Sequence, residues 1–95
     1  MLKGKLVDEV ADRLDGYLKR DIRQAIDIII ESISESLQEE KRVEIRGFGS
    51  FSVRRRKARK AENPKTGKIM DIPERKSVLF TMSKSLKETL IRSVD

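Results

Sequence analysis

Arg54-Arg55-Arg56-Lys57-Ala58-Arg59-Lys60 places six cations in seven positions. Charge at that density repels itself unless a polyanion neutralises it, so the chemistry it offers is electrostatic recognition of a phosphate-rich or acidic partner. Most such runs are disordered tails or solvated faces. This one is internal and flanked by strand-like sequence, which favours an ordered element held out toward a polyanion. The second candidate is acidic: Asp8, Glu9 and Asp12 have the spacing to hold Mg²⁺ from one helix face, as in a nuclease. A solvated face near a helix N-terminus explains them better, because the dipole favours carboxylates there. Cysteine, histidine and tryptophan are absent, which removes disulfides, thiolate nucleophiles, imidazole bases and Cys/His zinc sites. The expectation is a non-enzyme with no catalytic residue, no metal, no cofactor and no small-molecule substrate.

The charge is concentrated. Of the net +6, residues 1–52 contribute nine basic and eleven acidic side chains, residues 53–76 ten and three, and residues 77–95 three and two. The central segment therefore carries +7 alone. A chain of 95 residues is short enough to be one domain with a thin core, burying only about 60 to 65 per cent of its unfolded surface. No apolar stretch approaches the roughly 18 residues of a membrane span. Residues 1–5 lead into an amphipathic pattern rather than the apolar region of a signal peptide, so no membrane partner and a cytoplasmic location are expected.

The elements that must position the basic run can be read from periodicity. Leu6, Val7, Val10, Ala11 and Leu14 recur at helical spacing, predicting an amphipathic helix over residues 3–15 stopped by Gly16. A longer helix over residues 19–39 carries Ile22, Ile26, Ile29, Ile33 and Leu37 in one stripe, widened by Ala25, Ile28 and Ile30. That surface is too broad for one partner helix, so burial against a second subunit is expected. Val43 and Ile45, then Phe51 and Val53, alternate around Gly47-Phe48-Gly49 as a hairpin does. Phe48, Phe51 and Phe80 read as core rather than as a stacking platform, because a fold with three Phe and one Tyr cannot spare them. The second strand continues over residues 54–62 to the turn Asn63-Pro64-Lys65-Thr66-Gly67 and returns through Ile69 to Ile72. Nine extended residues reach about 30 Å, so this hairpin projects as an arm. Ser83 or Ser85 caps a last helix, with Glu88 placed for a capping box after Ser85 and Leu86, Leu90, Ile91 and Val94 as its buried stripe.

Two stretches, Ile45-Arg46-Gly47-Phe48-Gly49-Ser50-Phe51 and Asn63-Pro64-Lys65-Thr66-Gly67, together with Phe80 and Lys84-x-Leu86-Lys87-Glu88, resemble the HU and integration host factor family of bacterial nucleoid-associated DNA-bending proteins. The heptapeptide is closest to the integration host factor beta type. The resemblance covers the whole chain and implies an α+β fold: a helical base of two N-terminal helices, a three-stranded antiparallel sheet with a long protruding β-arm, and a short C-terminal helix, in an intertwined homodimer or heterodimer. Residues 1–40 would be the dimerisation part, 41–53 and 76–82 the sheet body, 54–75 the arm and 83–95 the last helix. Ile29, Ile33, Phe48, Phe51 and Phe80 would form the dimer core.

The partner implied is double-stranded DNA, bent through its minor groove, with a nucleoid location. Pro64 matches the arm-tip wedge that enters between base pairs, with Asn63 and Lys65 beside it. Arg54, Arg55, Arg56, Lys57, Arg59 and Lys60 line the arm, with Lys68, Arg75 and Lys76 on its return. Arg46 would sit on the body, and Ser83 and Lys84 where the last helix meets phosphate. An RNA-binding or ribosome-associated protein is the alternative, disfavoured because a kinking arm suits the B-form minor groove and not A-form RNA. Three positions depart from the family pattern. Ala61-Glu62 stands where Gly-Arg is common, leaving Glu62 a pairing with Lys60, Lys65 or Lys68 as its structural use. Met82-Ser83-Lys84 replaces Pro-Gly-Lys, and Gly4 stands where a Ser or Thr usually caps the first helix.

Overall fold

A computed structural model describes residues 1–94. Met1–Glu35 forms one compact unit and the chain from Ser36 onward a second. In the first unit, α1 (Lys3–Arg13) and the start of α2 (Lys19–Gln38) bury Val7, Ile22 and Ile26, with Leu6, Val10 and Ala11 packed alongside. Two ion pairs link the helices, Lys3 to Asp27 at 2.8 Å and Lys19 to Asp8. α1 stops two residues earlier than its periodicity predicts, because Leu14 is already extended and Gly16, at φ +84°, makes the turn that follows. The capping residue is Leu2, which makes no side-chain bond, and Gly4 lies inside the helix. The weakness there is an interior glycine, worth roughly 0.5–1 kcal/mol against alanine, as well as a missing cap.

The second unit is a sheet with an arm and a helix. β1 (Val43–Ile45), β2 (Gly49–Arg56) and β5 (Arg75–Met82) form an antiparallel sheet in the order β1-β2-β5, and β3 (Arg59–Glu62) pairs with β4 (Ile69–Ile72) as a separate two-stranded arm. The sequence predicts an unbroken limb over residues 54–62; the ladder instead runs to Arg56↔Arg75 and resumes at Arg59↔Ile72. Pro73 supplies the reason, since it has no N–H to donate and holds φ near −65°. Lys57 and Ala58 on one limb and Pro73 and Glu74 on the other are therefore left out of both sheets.

Each body-sheet face has its own chemistry. The register puts Val43, Ile45, Gly49, Phe51, Val53, Arg55, Lys76, Val78, Phe80 and Met82 on one face and Glu44, Ser50, Ser52, Arg54, Arg56, Arg75, Ser77 and Thr81, with Leu79, on the other. Phe80 stacks at a tilt on Phe48 and on Phe51, with ring centroids 5.3 and 4.9 Å apart. The phenylalanines read from the sequence as core do cluster, but Phe48 is 42% and Phe80 38% exposed. Ile29 of α2 is 58% exposed and Ile33 only half-buried. Of the stripe expected on α3 (Lys84–Arg92) and just beyond it, Leu86 is half-buried while Leu90, Ile91 and Val94 are exposed, so the burial expected of it is incomplete in the single chain.

Candidate nucleic-acid interface

Arg46 owes its position to a turn. Phe48 N–H donates to the Ile45 carbonyl at 2.9 Å, and Gly47, at φ +82°, takes the left-handed place that leaves Arg46 exposed at the corner. The same turn anchors α3. Ser83 N–H donates to the Phe48 carbonyl at 2.9 Å, and Ser85 Oγ donates to the Gly47 carbonyl at 3.3 Å. Ser83 is the cap, its Oγ accepting from Leu86 N–H at 3.1 Å. The capping box predicted from Ser85 and Glu88 does not form, because Ser85 lies inside the helix and Glu88 faces Lys84 at 4.0 Å. Arg46 and Ser83 share an open cleft of about 210 Å³, into which Arg42 and Glu44 also face. Arg42 escapes a sequence reading because it stands before the strand, outside any motif.

At the root of the arm, Arg56, Lys57, Arg59 and Arg75 border an open hollow of about 200 Å³ floored by Ile72 and Pro73. Among the described residues, none of these four cations pairs with a carboxylate, nor do Arg46, Arg54, Lys60, Lys65 and Lys68. Their free charge is what a polyanion would meet.

Arg55 and Lys76, expected among the DNA-facing cations, lie against carboxylates in the single chain. Strand alternation turns them to the phenylalanine face, where Glu40 takes both. Arg55 Nε and Nη2 donate to the two carboxylate oxygens of Glu40 at 2.6 and 3.1 Å, Nη1 donates to Glu74 at 3.2 Å, and Lys76 Nζ lies 3.5 Å from Glu40. The hydrogen bond from Arg55 holds the Glu40 carboxyl below its usual range, and Glu40 in turn raises Arg55. Nothing in the sequence pattern pointed to Glu40 or Glu74.

The arm tip is a hydrogen-bonded loop. Asn63 Oδ1 accepts from Lys65 N–H at 2.9 Å, its carbonyl accepts from Gly67 N–H at 2.7 Å, and its own N–H donates to the Lys68 carbonyl at 2.9 Å. Gly67 sits at φ +67°, and Pro64 and Lys65 are exposed at the apex. Glu62 stands opposite Ile69 and makes none of the ion pairs open to it with Lys60, Lys65 or Lys68. On α1, Asp8 is paired with Lys19, whose hydrogen bond lowers its carboxyl, and no group of three acidic side chains gathers as a metal site among the described residues.

Residues 1–90 match the model of the family described as bacterial DNA-binding protein. The chain belongs to that family, the HU proteins. It is 47% identical over 88 residues to the DNA-binding protein HU of Thermotoga maritima, covering 93% of this chain and 97% of that one. The HU of Geobacillus stearothermophilus is 41% identical over 90 residues, covering 95% and 99%. Among solved structures, an Anabaena HU–DNA cocrystal superposes with a TM-score of 0.80 at 37% identity over 95% of this chain and 97% of that one. The α+β fold of helices, antiparallel sheet and arm is thus the HU fold.

Proposed function

We propose that this HU-family chain binds and bends double-stranded DNA as a dimer, with its two basic arms in the minor groove and a part in organising the nucleoid. The observation that carries the reading is the charge segregation of the second unit. Arg54, Arg56 and Arg75 line the sheet face away from the phenylalanines and continue into the hollow at the arm root with Lys57 and Arg59. Unpaired cations on one continuous surface suit a phosphate backbone, where each neutralised phosphate releases counterions. The Anabaena relative was crystallised together with DNA. Pro64, exposed at the apex, serves as the wedge: unstacking one step costs a few kcal/mol and brings bent DNA against more positive surface.

Dimerisation is supported by how little each unit buries by itself. Only Val7, Ile22 and Ile26 are buried hydrophobics among the described residues, while Ile28, Ile29, Ile30, Phe48 and Phe80 remain exposed. Surfaces of that size and character are covered by a second subunit in stable small proteins. The test is a gel-shift comparison of intact, nicked and four-way-junction DNA at two salt concentrations. If a dimer neutralises six to ten phosphates, affinity falls by about 10³ to 10⁵ between 50 and 200 mM salt. A flat response, or a preference for structured RNA in competition, would overturn the reading.

A further inference from the structure

The arm joins the body through two pairs of residues, Lys57 with Ala58 and Pro73 with Glu74, that belong to neither sheet. Without ladder bonds across that gap, something else must set the angle at which the arm leaves the body. Arg55 lies one residue inside the last body pair, and its guanidinium uses both edges. One edge grips Glu40 on the loop between α2 and β1 through two bonds, at 2.6 and 3.1 Å. The other reaches Glu74, within the gap itself, at 3.2 Å.

Glu40 adds an independent observation. It occupies the left-handed position that ends α2, at φ +60°, and is the only non-glycine residue with positive φ among those described. Its N–H donates to the Leu37 carbonyl at 3.0 Å and the next N–H, of Lys41, to Ser36 at 2.9 Å, the helix-ending pattern in which glycine is favoured. A glutamate tolerates that backbone at a penalty, and here its carboxylate is what engages the arm root. Charge points the same way. Glu40 and Glu74 balance Arg55 and Lys76 on this face, whereas Arg54, Arg56 and Arg75 on the opposite face make no ion pair among the described residues.

We propose that Glu40, Arg55 and Glu74 form a brace across the root of the arm, in which Arg55 is a positioning residue that fixes the arm's angle toward DNA instead of contacting phosphate. The proposal deepens the DNA-bending reading and rests on it for its binding readout, but the brace also has a readout without DNA. Backbone ¹⁵N relaxation of the free protein should show Thr66 and Gly67 losing order in Glu40→Gly and in Arg55→Gln, while body-sheet amides keep theirs. Glycine suits the left-handed site, so Glu40→Gly keeps the fold and isolates the loss of the carboxylate.

On duplex DNA the two variants should bind more weakly at an unchanged slope of log K against log salt. If each loosened arm holds the competent angle a third to a tenth of the time, affinity falls roughly three- to tenfold per arm. Arg54→Gln should instead reduce the slope by about 0.9 for each phosphate that it no longer neutralises. Arg55→Gln lowering the slope as Arg54→Gln does, together with Glu40→Gly tightening binding, would overturn the brace and make Arg55 a phosphate ligand. Unchanged arm order in Glu40→Gly overturns it without reference to DNA. Should the parent protein fail to bind duplex, the bending reading falls, and the relaxation result still decides the brace.

Discussion

At the residue scale, Gly47 and Gly49 stand two apart in one motif and are required for different reasons. Gly47 is needed for its conformation, at φ +82°, with open space where a Cβ would go. Gly49 is needed for space: a Cβ there would stand 2.5 Å from the Thr81 carbonyl oxygen and 2.7 Å from Phe80 Cζ. Backbone cannot yield at 2.5 Å, so Gly49→Ala should destabilise by about 1–3 kcal/mol or more by overpacking, read as a lower urea midpoint at unchanged slope. Glu62 makes the opposite case, a carboxylate that forms no ion pair among the described residues. The minor groove has negative potential and repels a carboxylate where it attracts arginine. Glu62→Arg should therefore tighten duplex binding and increase the salt slope by roughly one to two per arm. Unchanged affinity and slope in a salt titration would mean that the tip stays outside the groove.

At the element scale, the proposed function assigns holding to the cations of the arm and bending to its apex. The arm's cations lie along the strands, at the root and, with Lys65, at the apex, where Pro64 presents a rigid apolar edge. Pro64→Ala leaves every cation in place, so bend angle should fall much more than affinity. Energy transfer between labelled DNA ends at saturation measures it, and an unchanged end-to-end distance would exclude the wedge. The existence of the arm was legible from its turn signal and alternation. Its interruption was not, because whether Pro73 merely bends a strand or ends a ladder depends on the residues paired across from it. The choice of Ser83 over Ser85 as cap was hidden for a related reason. Two serines two residues apart both suit a cap in sequence, and the Gly47 carbonyl that takes Ser85 lies 38 residues away.

At the scale of the molecule, folding and association are expected to be one event. With Phe48 and Phe80 packed together yet more than a third exposed, Phe48→Ala should cost about 3 to 5 kcal/mol if a second subunit covers them, and abolish the dimer. A folded monomeric variant in analytical ultracentrifugation would contradict this. The response to pH follows from composition and two contacts. No histidine titrates between pH 5 and 8. Asp8 and Glu40 have carboxyls lowered by Lys19 and Arg55, so their contribution is complete above the ordinary values of 3.8 and 4.5 and is lost only as acid protonates them in the folded protein. Thermal melts should therefore be level from about pH 6 to 8 and decline in acid; a step near pH 6.5, where histidine would act, would refute it.

A polyanionic partner, the helices and the need for a second subunit were legible in the chain alone, because each is a sum over many residues: a +7 segment, a 3.6-residue stripe, an apolar face too wide for a short chain; that the polyanion is double-stranded DNA came from the motif resemblance. Sums of that kind survive error at any one position. The tertiary structure decided which side of the sheet each cation occupies. Arg54, Arg55 and Arg56 are identical in composition and adjacent in sequence, yet the pleat turns the middle one toward Glu40 and leaves the other two free. One residue of strand phase reverses a side chain's face, and that phase is fixed by pairing with β5, some twenty residues further along the chain.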